Sequence, residues 1–422
     1  MPLPPSVRPG APVALTGAGV VSPIGNTLAA FDAALFAGRS AVRAQALDLP
    51  GIELPPVPVA SADFDAAAEE APSRVPLDRA TAMALAAARD AARAAGLAPG
   101  SFDPERLGVY WGSGMAGAAT FEATCRTVYA DRRRMRPTSV VTTMPNAPVA
   151  EIALAFAARG AALAYACACA SSAVAIGEAM RAIRAGWIDV AIVGGSESML
   201  TPGVLASWQA MRVLVPLGTV ANDAAAVAAC CRPFAAGRNG FALGEAAAAF
   251  VLESAAHAAA RGATVGATLT GYASNCDGVH ITQPDAAGQA RAMRAALDDA
   301  GLSADAIGYL NAHGTATTAG DAAEAESIAS VFGANGVAVS STKAIHGHLL
   351  GAGGAVELLA ASRALAVGRL PPTANVERAD PAFALDLVTG SARASAGLDA
   401  VMSNSFAFGG TNAVLIAMRA RG

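Results

Sequence analysis

Lysine is almost absent from this chain. Of its 29 lysine and arginine residues, only Lys343 is a lysine. A residue type kept at a single position indicates a chemical role, because the planar guanidinium of arginine cannot replace a compact ammonium group in a tight site. Lys343 is therefore the first candidate functional residue.

Charged residues are also scarce. They make up 15% of the 422 residues, while 54% are hydrophobic, which excludes a disordered, collagen-like or coiled-coil chain. The formal net charge of −4 is spread along the chain and leaves neither a basic field for nucleic acid nor a polybasic stretch for an anionic membrane. We expect a globular protein that binds neither.

Long apolar runs and targeting signals are missing too. Residues 1–10 have no apolar core of a signal peptide, and Arg421-Gly422 carries no lipidation or retention signal. The longest uncharged run, from Gly160 to Gly177, is mostly Ala, Ser, Gly and Cys rather than the residues of a membrane span. We interpret this run as a buried strand that leads into a buried helix, and we expect a cytoplasmic protein.

Cysteine is used sparingly and without a disulfide pattern. The six cysteines are typical of free cytosolic thiols in a chain of this length. They are Cys125, Cys167, Cys169, Cys230, Cys231 and Cys276. Because no second Cys or His pair lies at zinc-finger spacing from the Cys-x-Cys pair, we expect no metal site.

What the chain does have is an alternation of short β-branched runs with Ala-rich stretches of helical period. This alternation is typical of an α/β protein with buried sheets. Strands are predicted at Pro12 to Leu15, Arg106 to Trp111, Ala162 to Ala166, Val190 to Val193, Ala248 to Leu252, Ile307 to Leu310 and Val337 to Ser340. Helices are predicted at Arg79 to Ala95, Ser171 to Ala185, Ala287 to Ala300, Asp321 to Val331 and Gly354 to Val367.

The chain also repeats its own architecture. Ala14-Leu-Thr-Gly-Ala-Gly-Val opens the first half as Ala267-Thr-Leu-Thr-Gly-Tyr-Ala opens the second. Each half then carries a strand, a sharp turn with a reactive type of residue, and an Ala-rich helix. We predict two packed halves from a tandem duplication, residues 1–255 and 256–422.

Cys169 lies where an apolar strand turns through small residues into an Ala-rich helix. At a helix N-terminus the dipole and the free backbone N–H groups favour a thiolate and can hold an oxyanion. The alternative is that Cys167 and Cys169 are small buried hydrophobic residues, as most free cysteines are.

Two further segments place histidines just beyond strand ends, where ligands collect in open α/β sheets. The first is Asn311-Ala-His313-Gly-Thr-Ala-Thr317, and the second runs from Ser341-Thr-Lys343 to His348. A lone histidine is more often a hydrogen-bonded structural residue. We interpret His257, one helical turn from Arg261, as a surface residue only.

Four motifs then occur in order. They are Ala168-Cys-Ala-Ser-Ser172, Asn311-Ala-His-Gly-Thr315, Ser341-Thr-Lys343 ending in Gly347-His-Leu-Leu-Gly-Ala352, and Asn404-Ser-Phe-Ala-Phe-Gly-Gly-Thr-Asn412. Over essentially its whole length the chain resembles the β-ketoacyl-acyl-carrier-protein synthases, condensing enzymes of the thiolase fold, and above all the type II, synthase II-like enzymes. The resemblance implies an α/β thiolase-like fold, duplicated in five α-β-α-β-α layers.

The implied reaction is the decarboxylative Claisen condensation of an acyl group on Cys169 with malonyl-acyl-carrier protein, in fatty-acid, polyketide or aryl-polyene elongation. By resemblance, His313 and His348 carry the decarboxylation, and Lys343 orients them, with Glu357 as its buried partner. A plain paired carboxylate in the core is the alternative for Glu357.

The resemblance also implies a substrate pocket. The backbone N–H groups of Cys169 and Phe408 would hold the oxyanion, and Phe408 would gate the pocket mouth. The implied phosphopantetheine contacts are Thr282, Thr315 and Thr317, the implied acyl-pocket residues are Met115, Met144 and Trp208, and the implied docking arginines are Arg133, Arg134 and Arg212. Ordinary turn chemistry, core packing of the methionines and solvated surface charge are the respective alternatives.

No cofactor is implied, since the substrates are carried on the phosphopantetheine of an acyl carrier protein, which is the implied partner. A homodimer is expected, and a heterodimer with a related subunit stays open. A chain-length-factor-like partner subunit would lack the nucleophile. A non-decarboxylating thiolase would need a second catalytic cysteine in the C-terminal half, where only Cys276 lies.

Several positions depart from the family pattern. Ala407 and Ala246 stand where the family commonly has Gly, Thr318 where it often has Pro, and Ala235 and Asn239 where it has carboxylates. These departures indicate altered loop dynamics and a specialised pathway rather than housekeeping fatty-acid synthesis. The preferred acyl chain is not determined by them.

Overall fold

The computed structural model describes residues 11–98 and 100–420. Residues 1–10 and 421–422 lie outside the described residues. The expectation that targeting signals are missing depends on these two stretches.

The strands are β1 Val13–Val21, β2 Arg43–Gln45, β3 Val57–Ala60, β4 Leu107–Gly112, β5 Ala162–Tyr165, β6 Val190–Glu197, β7 Leu243–Gly244, β8 Ala246–Ser254, β9 Ala267–Cys276, β10 Tyr309–Asn311, β11 Ala338–Ser340, β12 Arg369–Leu370, β13 Asp386–Leu387, β14 Arg393–Ala394, β15 Ala400–Phe406 and β16 Thr411–Arg419. The α-helices are α1 Leu28–Phe36, α2 Arg79–Ala94, α3 Ala118–Tyr129, α4 Ser139–Thr143, α5 Ala147–Phe156, α6 Ser171–Arg184, α7 Pro202–Ala210, α8 Ala224–Ala228, α9 Ala255–Ala260, α10 Ala286–Ala300, α11 Thr318–Phe332, α12 Lys343–His346 and α13 Gly353–Val367.

Local sequence signals account for the ends of the main helices. The side chain of Asp78 accepts a hydrogen bond from the first turn of α2, and that of Thr317 does so for α11. Gly301 and Gly368 close α10 and α13 in the left-handed conformation that glycine adopts at little cost. Every predicted strand and helix is present, with ends shifted by up to six residues.

The largest sheet of the described residues has the strand order β13-β11-β10-β15-β16-β9-β1-β8-β6-β4-β5. The first half contributes β1, β4, β5, β6 and β8, and the second contributes β9, β10, β11, β15 and β16. Counted along the chain, both sets have the same spatial order, third-second-fourth-fifth-first, and β13 adds an edge to the second. This repeated topology confirms the predicted duplicated fold.

The halves join where β1 pairs antiparallel with β9, from Val13↔Leu269 to Leu15↔Ala267. β8 ends at Ser254 and β9 begins at Ala267, so the join lies in the segment that carries α9. The exact boundary between residues 255 and 256 stays a prediction.

Helices fill the layers around the sheet. α6 and α13 pack against each other between the two halves and form the central hydrophobic core. α2 covers the outer face of the first half, and α10 and α11 cover that of the second. The result is the five-layered arrangement implied by the resemblance.

Two segments bear on the expectations about long apolar runs. The segment Leu350–Val367 is long and apolar enough to cross a membrane by length and composition, but 78% of it is buried inside the protein, as expected of a central core helix. The run from Gly160 to Gly177 was predicted to be a buried strand and a buried helix, and only the helix is buried. β5 is largely exposed, and the side chain of Leu163 is 45% exposed. β5 is the edge strand, and among the described residues it pairs only with β4, which leaves its other edge without a partner strand.

Candidate active site

The candidate catalytic residues come together at the carboxyl ends of strands from both halves. Cys169 lies in a single helical turn between β5 and α6, and the preceding Ala168 has a left-handed φ of 48°. His313 follows β10, and Lys343 and His348 follow β11. Because β10 and β11 are parallel neighbours, both segments leave the sheet at the same edge.

Cys169, His313 and His348 form a compact buried group. The Sγ atom of Cys169 lies 3.0 Å from Nε2 of His348. The two imidazole rings meet edge to face, with centroids 5.4 Å apart. Phe241 packs edge-on against His348 from the other side, at 5.1 Å between centroids. A substrate atom in this space would contact a thiol and two ring nitrogens at once.

Burial sets the charge state of this group. Desolvation lowers the pKa of His313 and of His348 well below the usual histidine range, and the positive charge of Lys343 lowers both further. Both rings are therefore neutral at physiological pH. Burial also raises the pKa of Cys169 to about 12, although Lys343 and the backbone N–H of Phe408 lower it in part.

Burial therefore opposes the thiolate that the helix N-terminus is expected to favour. Loss of hydration raises the pKa of the thiol more than Lys343 and the Phe408 N–H lower it. The resting pair is a thiol beside a neutral imidazole, and His348 Nε2 is placed to receive the proton when Sγ attacks.

Lys343 is buried and lies on the far side of the His313 ring. Its Nζ forms an ion pair with Glu357 and donates a hydrogen bond to the backbone carbonyl of His313 at 2.5 Å. Nζ also lies 3.3 Å from Nδ1 of His313. An ammonium donor there makes Nδ1 an acceptor, which leaves the ring proton on Nε2, facing the site.

Glu357 is the carboxylate that compensates this buried ammonium. Desolvation raises the pKa of Glu357 to about 7, against the lowering effect of Lys343. Its second oxygen, Oε2, has no hydrogen-bond partner among the described residues. Glu357 is therefore held by Lys343 alone.

Two buried carboxylates that no sequence pattern singled out fix the backbone around His313. Glu324 accepts hydrogen bonds from the N–H groups of His313 at 2.8 Å and Gly314 at 2.6 Å. Asp321 accepts one from the N–H of Phe234 at 2.7 Å. Both lie in the first two turns of α11, one helical turn apart. Acidic residues just after an N-cap such as Thr317 are the sequence feature from which they could have been predicted.

Glu197, at the end of β6, ties the two halves together beside the site. Its carboxylate accepts from the backbone N–H groups of Gly114 at 2.6 Å, Met115 at 3.1 Å and Gly351 at 3.1 Å, and from the hydroxyl of Ser113 at 3.2 Å. Gly351 lies three residues after His348, so Glu197 anchors the turn that carries this histidine.

We expect Glu197→Ala to lower the free energy of unfolding by about 3 kcal/mol, because three backbone donors become buried without partners. Denaturant titration at pH 7 measures the loss. Glu197→Gln keeps one acceptor oxygen and should lose about half as much. A Glu197→Ala protein within about 0.5 kcal/mol of the parent would show that water replaces the carboxylate.

A cavity of about 290 Å³ reaches Cys169, His313 and His348 from the surface. Thr282, Thr315 and Thr317 line it, and the hydroxyls of Thr315 and Thr317 lie 2.9 Å apart. Trp208 and Phe408 also line it, with their rings stacked at 6.3 Å between centroids. The structure thus places these five predicted residues around one channel.

Met115 and Met144 lie outside this cavity in the single chain, and their predicted place in the acyl pocket stays a prediction. They are 50% and 44% exposed and do not line the cavity. Both belong to the segment between β4 and α5, whose apolar side chains project from the molecular surface. Arg133, Arg134 and Arg212 are exposed, as a docking role requires.

His257, His346 and Cys167 have structural surroundings. His257 is more than a surface residue: it and Arg261 both bind the buried Glu253, His257 through Nδ1 at 2.6 Å. His346 is buried and within 2.9 Å of the Thr342 hydroxyl. Cys167 is half-buried against the central core and does not line the cavity.

All the family departures except Ala246 have local explanations. Arg238, between Ala235 and Asn239, finds its carboxylate partner in Asp380 at 2.9 Å. Thr318 begins α11, where proline would also fit. Ala407 lacks a positive φ, and the left-handed residues of its turn are Gly409 and Gly410. Nothing in the structure explains Ala246.

Comparison with known proteins follows the same division into halves. Residues 10–258 match the family "Beta-ketoacyl synthase, N-terminal domain", and residues 266–377 match "Beta-ketoacyl synthase, C-terminal domain". Nodulation protein E of Rhizobium meliloti (strain 1021) is 41% identical over 344 residues, which cover 81% of this chain and 82% of that protein. The 3-oxoacyl-[acyl-carrier-protein] synthase 2 of Staphylococcus aureus is 38% identical over 346 residues, which cover 81% and 84%.

Solved structures agree over almost the whole chain. A β-ketoacyl synthase from Burkholderia phymatum STM815 superposes with a TM-score of 0.86 at 35% identity, covering 97% of this chain and 100% of that one. The ishigamide ketosynthase/chain length factor gives 0.88 at 31%, covering 97% and 100%. A type II polyketide synthase acyl carrier protein in complex with its ketosynthase gives 0.88 at 27%, covering 98% and 100%.

Proposed function

This chain belongs to the β-ketoacyl synthase family and is a ketosynthase, and from this premise we propose that its described site performs a decarboxylative condensation with Cys169 as the nucleophile. The observation that carries the proposal is the Sγ to Nε2 distance of 3.0 Å between Cys169 and His348, beside His313, in one buried neutral group. A nucleophile, a proton acceptor and a second ring donor are thereby within reach of one reacting carbonyl.

Acyl loading is the first step. The Sγ atom of Cys169 attacks the thioester carbonyl of an acyl carrier substrate, and its proton passes to Nε2 of His348. The backbone N–H groups of Cys169 and Phe408 hold the oxyanion; the Phe408 N–H is near enough to Sγ in the resting site to lower the pKa of the thiol. The carrier thiolate leaves and takes a proton from solvent, the acyl group remains on Cys169, and Nε2 of His348 keeps the proton that Sγ gave up.

Decarboxylation is the second step. A malonyl thioester enters the same channel, where its carboxylate is poorly solvated. The bond to the carboxylate carbon breaks, CO₂ leaves, and the electron pair forms an enolate whose oxygen accepts hydrogen bonds from Nε2 of His313 and of His348. Lys343 keeps His313 in the tautomer that donates from Nε2, because its Nζ faces Nδ1.

Condensation completes the cycle. The carbanion attacks the acyl thioester of Cys169, a carbon–carbon bond forms, and Sγ leaves and regains its proton from Nε2 of His348. The product is a β-ketoacyl carrier protein. We propose that no cofactor takes part, since each electron pair stays on the substrates or Sγ of Cys169 and each proton moves between Cys169, His348 and solvent.

Intact-mass spectrometry tests the reaction. Incubation with an acyl carrier substrate should add one acyl group to Cys169, and later addition of malonyl carrier protein should remove it with formation of β-ketoacyl product. The competing proposal is a chain-length-factor-like partner subunit. A partner subunit of that kind should form no acyl adduct with any acyl carrier substrate. The absence of an adduct would therefore overturn the proposed condensation at Cys169.

We propose that the partner is an acyl carrier protein that docks on exposed arginines. Arg132, Arg133, Arg134 and Arg136 are all exposed in one short segment. Carrier complexes of a structural relative support this partner class.

We expect the double variant Arg133→Glu, Arg134→Glu to raise KM for acyl carrier protein by about tenfold, since reversed rim charges weaken docking to an acidic surface. Acylation by a free acyl-pantetheine thioester should stay unchanged. Arg93→Glu, at an exposed position on the outer layer, is the matched control. An equal loss with both substrates would locate the effect in the site rather than in docking.

A second subunit of the same fold is the other proposed partner. The exposed edge strand β5 and the exposed apolar side chains of Met115, Phe121, Val140 and Met144 supply a surface for it. Such a subunit would also bring the two methionines under cover. The ketosynthase/chain length factor relative supports a related subunit as an alternative to a second copy.

We propose that the enzyme elongates a specialised acyl chain in cytoplasmic polyketide or aryl-polyene assembly. The similarity to polyketide ketosynthases and the alanine at position 407, beside Phe408, support this pathway. We expect Ala407→Gly to change acylation rates about fivefold for at least one chain length, because glycine opens positive φ values that cost alanine about 1 kcal/mol. CO₂ release should change little. Identical acylation rates across short, long and polyene-type carriers would contradict this role for Ala407.

A further inference from the structure

His346 is a buried histidine that the proposed reaction leaves unused. It ends the short helix α12, two residues before His348, and its side chain is completely buried. Nδ1 of His346 lies 2.8 Å from the backbone carbonyl oxygen of Gly347, and Nε2 lies 2.9 Å from the hydroxyl oxygen of Thr342. Both ring nitrogens therefore have a partner inside the protein.

These partners fix the tautomer of the His346 ring. A carbonyl oxygen only accepts hydrogen bonds, so Nδ1 carries the ring proton and donates it to Gly347. Nε2 then accepts the hydroxyl proton of Thr342. Burial and the charge of Lys343 lower the pKa of His346 to about 3, so the ring is neutral at physiological pH. The ring is thus a fixed hydrogen-bond donor toward Gly347.

The carbonyl of Gly347 belongs to the peptide bond that joins this residue to His348. Gly347 has a φ of 73°, and a Cβ atom there would lie 3.1 Å from the backbone oxygens of both Ala242 and Leu243. Glycine occupies several regions of φ and ψ at similar cost, so contacts with other groups must fix the direction of this carbonyl.

Three hydrogen bonds hold the backbone around His348. Its N–H donates to the carbonyl of Ala242 at 2.7 Å, and its carbonyl accepts from the N–H of Gly244 at 2.9 Å. The third is the bond from Nδ1 of His346 to the carbonyl of Gly347. Because this third bond is donated by a side chain, a substitution can remove it and leave the other two in place.

We propose that His346 is a positioning residue, and that its hydrogen bond to the Gly347 carbonyl fixes the place of the His348 ring. Nε2 of His348 lies 3.0 Å from Sγ of Cys169, so a turn of the preceding peptide would change the contact through which the thiol proton leaves. The effect of His346 on turnover rests on the proposed function, whereas its effect on this contact does not.

Two substitutions separate the two ring nitrogens. Asparagine places an amide N–H at the position of Nδ1 and nothing at that of Nε2, whereas glutamine places its amide near the position of Nε2 and a carbon at that of Nδ1. His346→Asn therefore keeps the donor toward Gly347, and His346→Gln removes it.

We expect His346→Gln to lower kcat by at least about tenfold for both acyl loading and CO₂ release, because a small displacement of a catalytic group is costly. His346→Asn should keep at least about half of the parent kcat, since the His348 ring stays in place. KM for the carrier substrates should not change in either variant, because His346 does not line the cavity.

Alkylation of Cys169 by iodoacetamide, followed by peptide mass spectrometry, tests the contact without a carrier substrate. His346→Gln should slow it by at least about fivefold, because Nε2 of His348 is the proton acceptor of the thiol. His346→Asn should match the parent. The control is His257→Gln: His257 binds the buried Glu253 through Nδ1 at 2.6 Å but lies outside the cavity. It should lower the free energy of unfolding and leave alkylation unchanged.

Equal alkylation rates in the His346→Asn and His346→Gln proteins would overturn the proposal, as would slow alkylation in His257→Gln. If His346→Gln does not fold, His346→Met removes the same donor without burying an unpaired amide and should show the same loss. If neither folds, His346 is a folding residue and the proposal is wrong. A parent protein that never forms an acyl adduct but shows the expected alkylation pattern would refute the proposed function and leave the positioning role standing.

Discussion

Replacing Cys169 with alanine should abolish acyl-enzyme formation and lower condensation by about 1,000-fold or more, because the remaining groups supply no nucleophile. Release of CO₂ from malonyl carrier protein should persist, since its proposed donors are His313 and His348. Intact-mass analysis measures the adduct, and trapping of CO₂ measures the second step.

Cys167 is the matched control for this variant. It lies two residues away and is half-buried against the central core, outside the cavity. Cys167→Ala should therefore keep at least about half of the parent activity. An adduct that survives in Cys169→Ala and disappears in Cys167→Ala would reverse the assignment of the nucleophile.

Lys343→Ala should slow decarboxylation by about 100-fold or more and leave acyl transfer to Cys169 within about threefold of the parent. The reason is directional: Nζ of Lys343 contacts His313 at its carbonyl and Nδ1, whereas the partner of Cys169 is His348. Single-turnover CO₂ release is compared with adduct formation. Equal losses in both steps would make Lys343 a structural residue.

The same variant should cost stability. Removing Lys343 leaves Glu357 buried without its partner, a loss of about 3–5 kcal/mol for a fully buried pair. Because the pKa of Glu357 in the folded protein is already raised to about 7, its contribution favours folding at low pH and is lost as the pH rises through 7. The destabilisation should therefore be larger at pH 8 than at pH 6.

A second variant keeps the catalytic test readable if Lys343→Ala is poorly folded. Lys343→Met with Glu357→Gln conserves volume and removes both charges, so most of the stability should return. CO₂ release should stay slow in this protein. Recovery of decarboxylation in the neutral pair would contradict an electrostatic role for Lys343.

Patterns local to the chain determined the helices and strands, the duplication and the positions of Cys169, His313, Lys343 and His348. Strand and helix periods depend on neighbouring residues, and each motif is contiguous, so both can be read without knowing what the segments contact. Lys343 could be identified from the amino-acid composition alone, because it is the single lysine of the chain.

Long-range packing decided the rest. Glu197 and Glu324 anchor the backbone near His348 and His313 from other elements, and no local pattern states where such a carboxylate will point. The exposure of Met115 and Met144 follows from the edge position of β5 and its neighbours, which is a property of the sheet order.

The charge states of the site were also beyond the sequence. A helix N-terminus predicted a thiolate at Cys169, but burial among His313, His348 and the core raises the pKa of that thiol instead. Hydration is lost only when both halves close over the site, and the cost of that loss depends on every element that excludes water. The sequence therefore determined which groups meet, and the tertiary structure decided in what protonation state they meet.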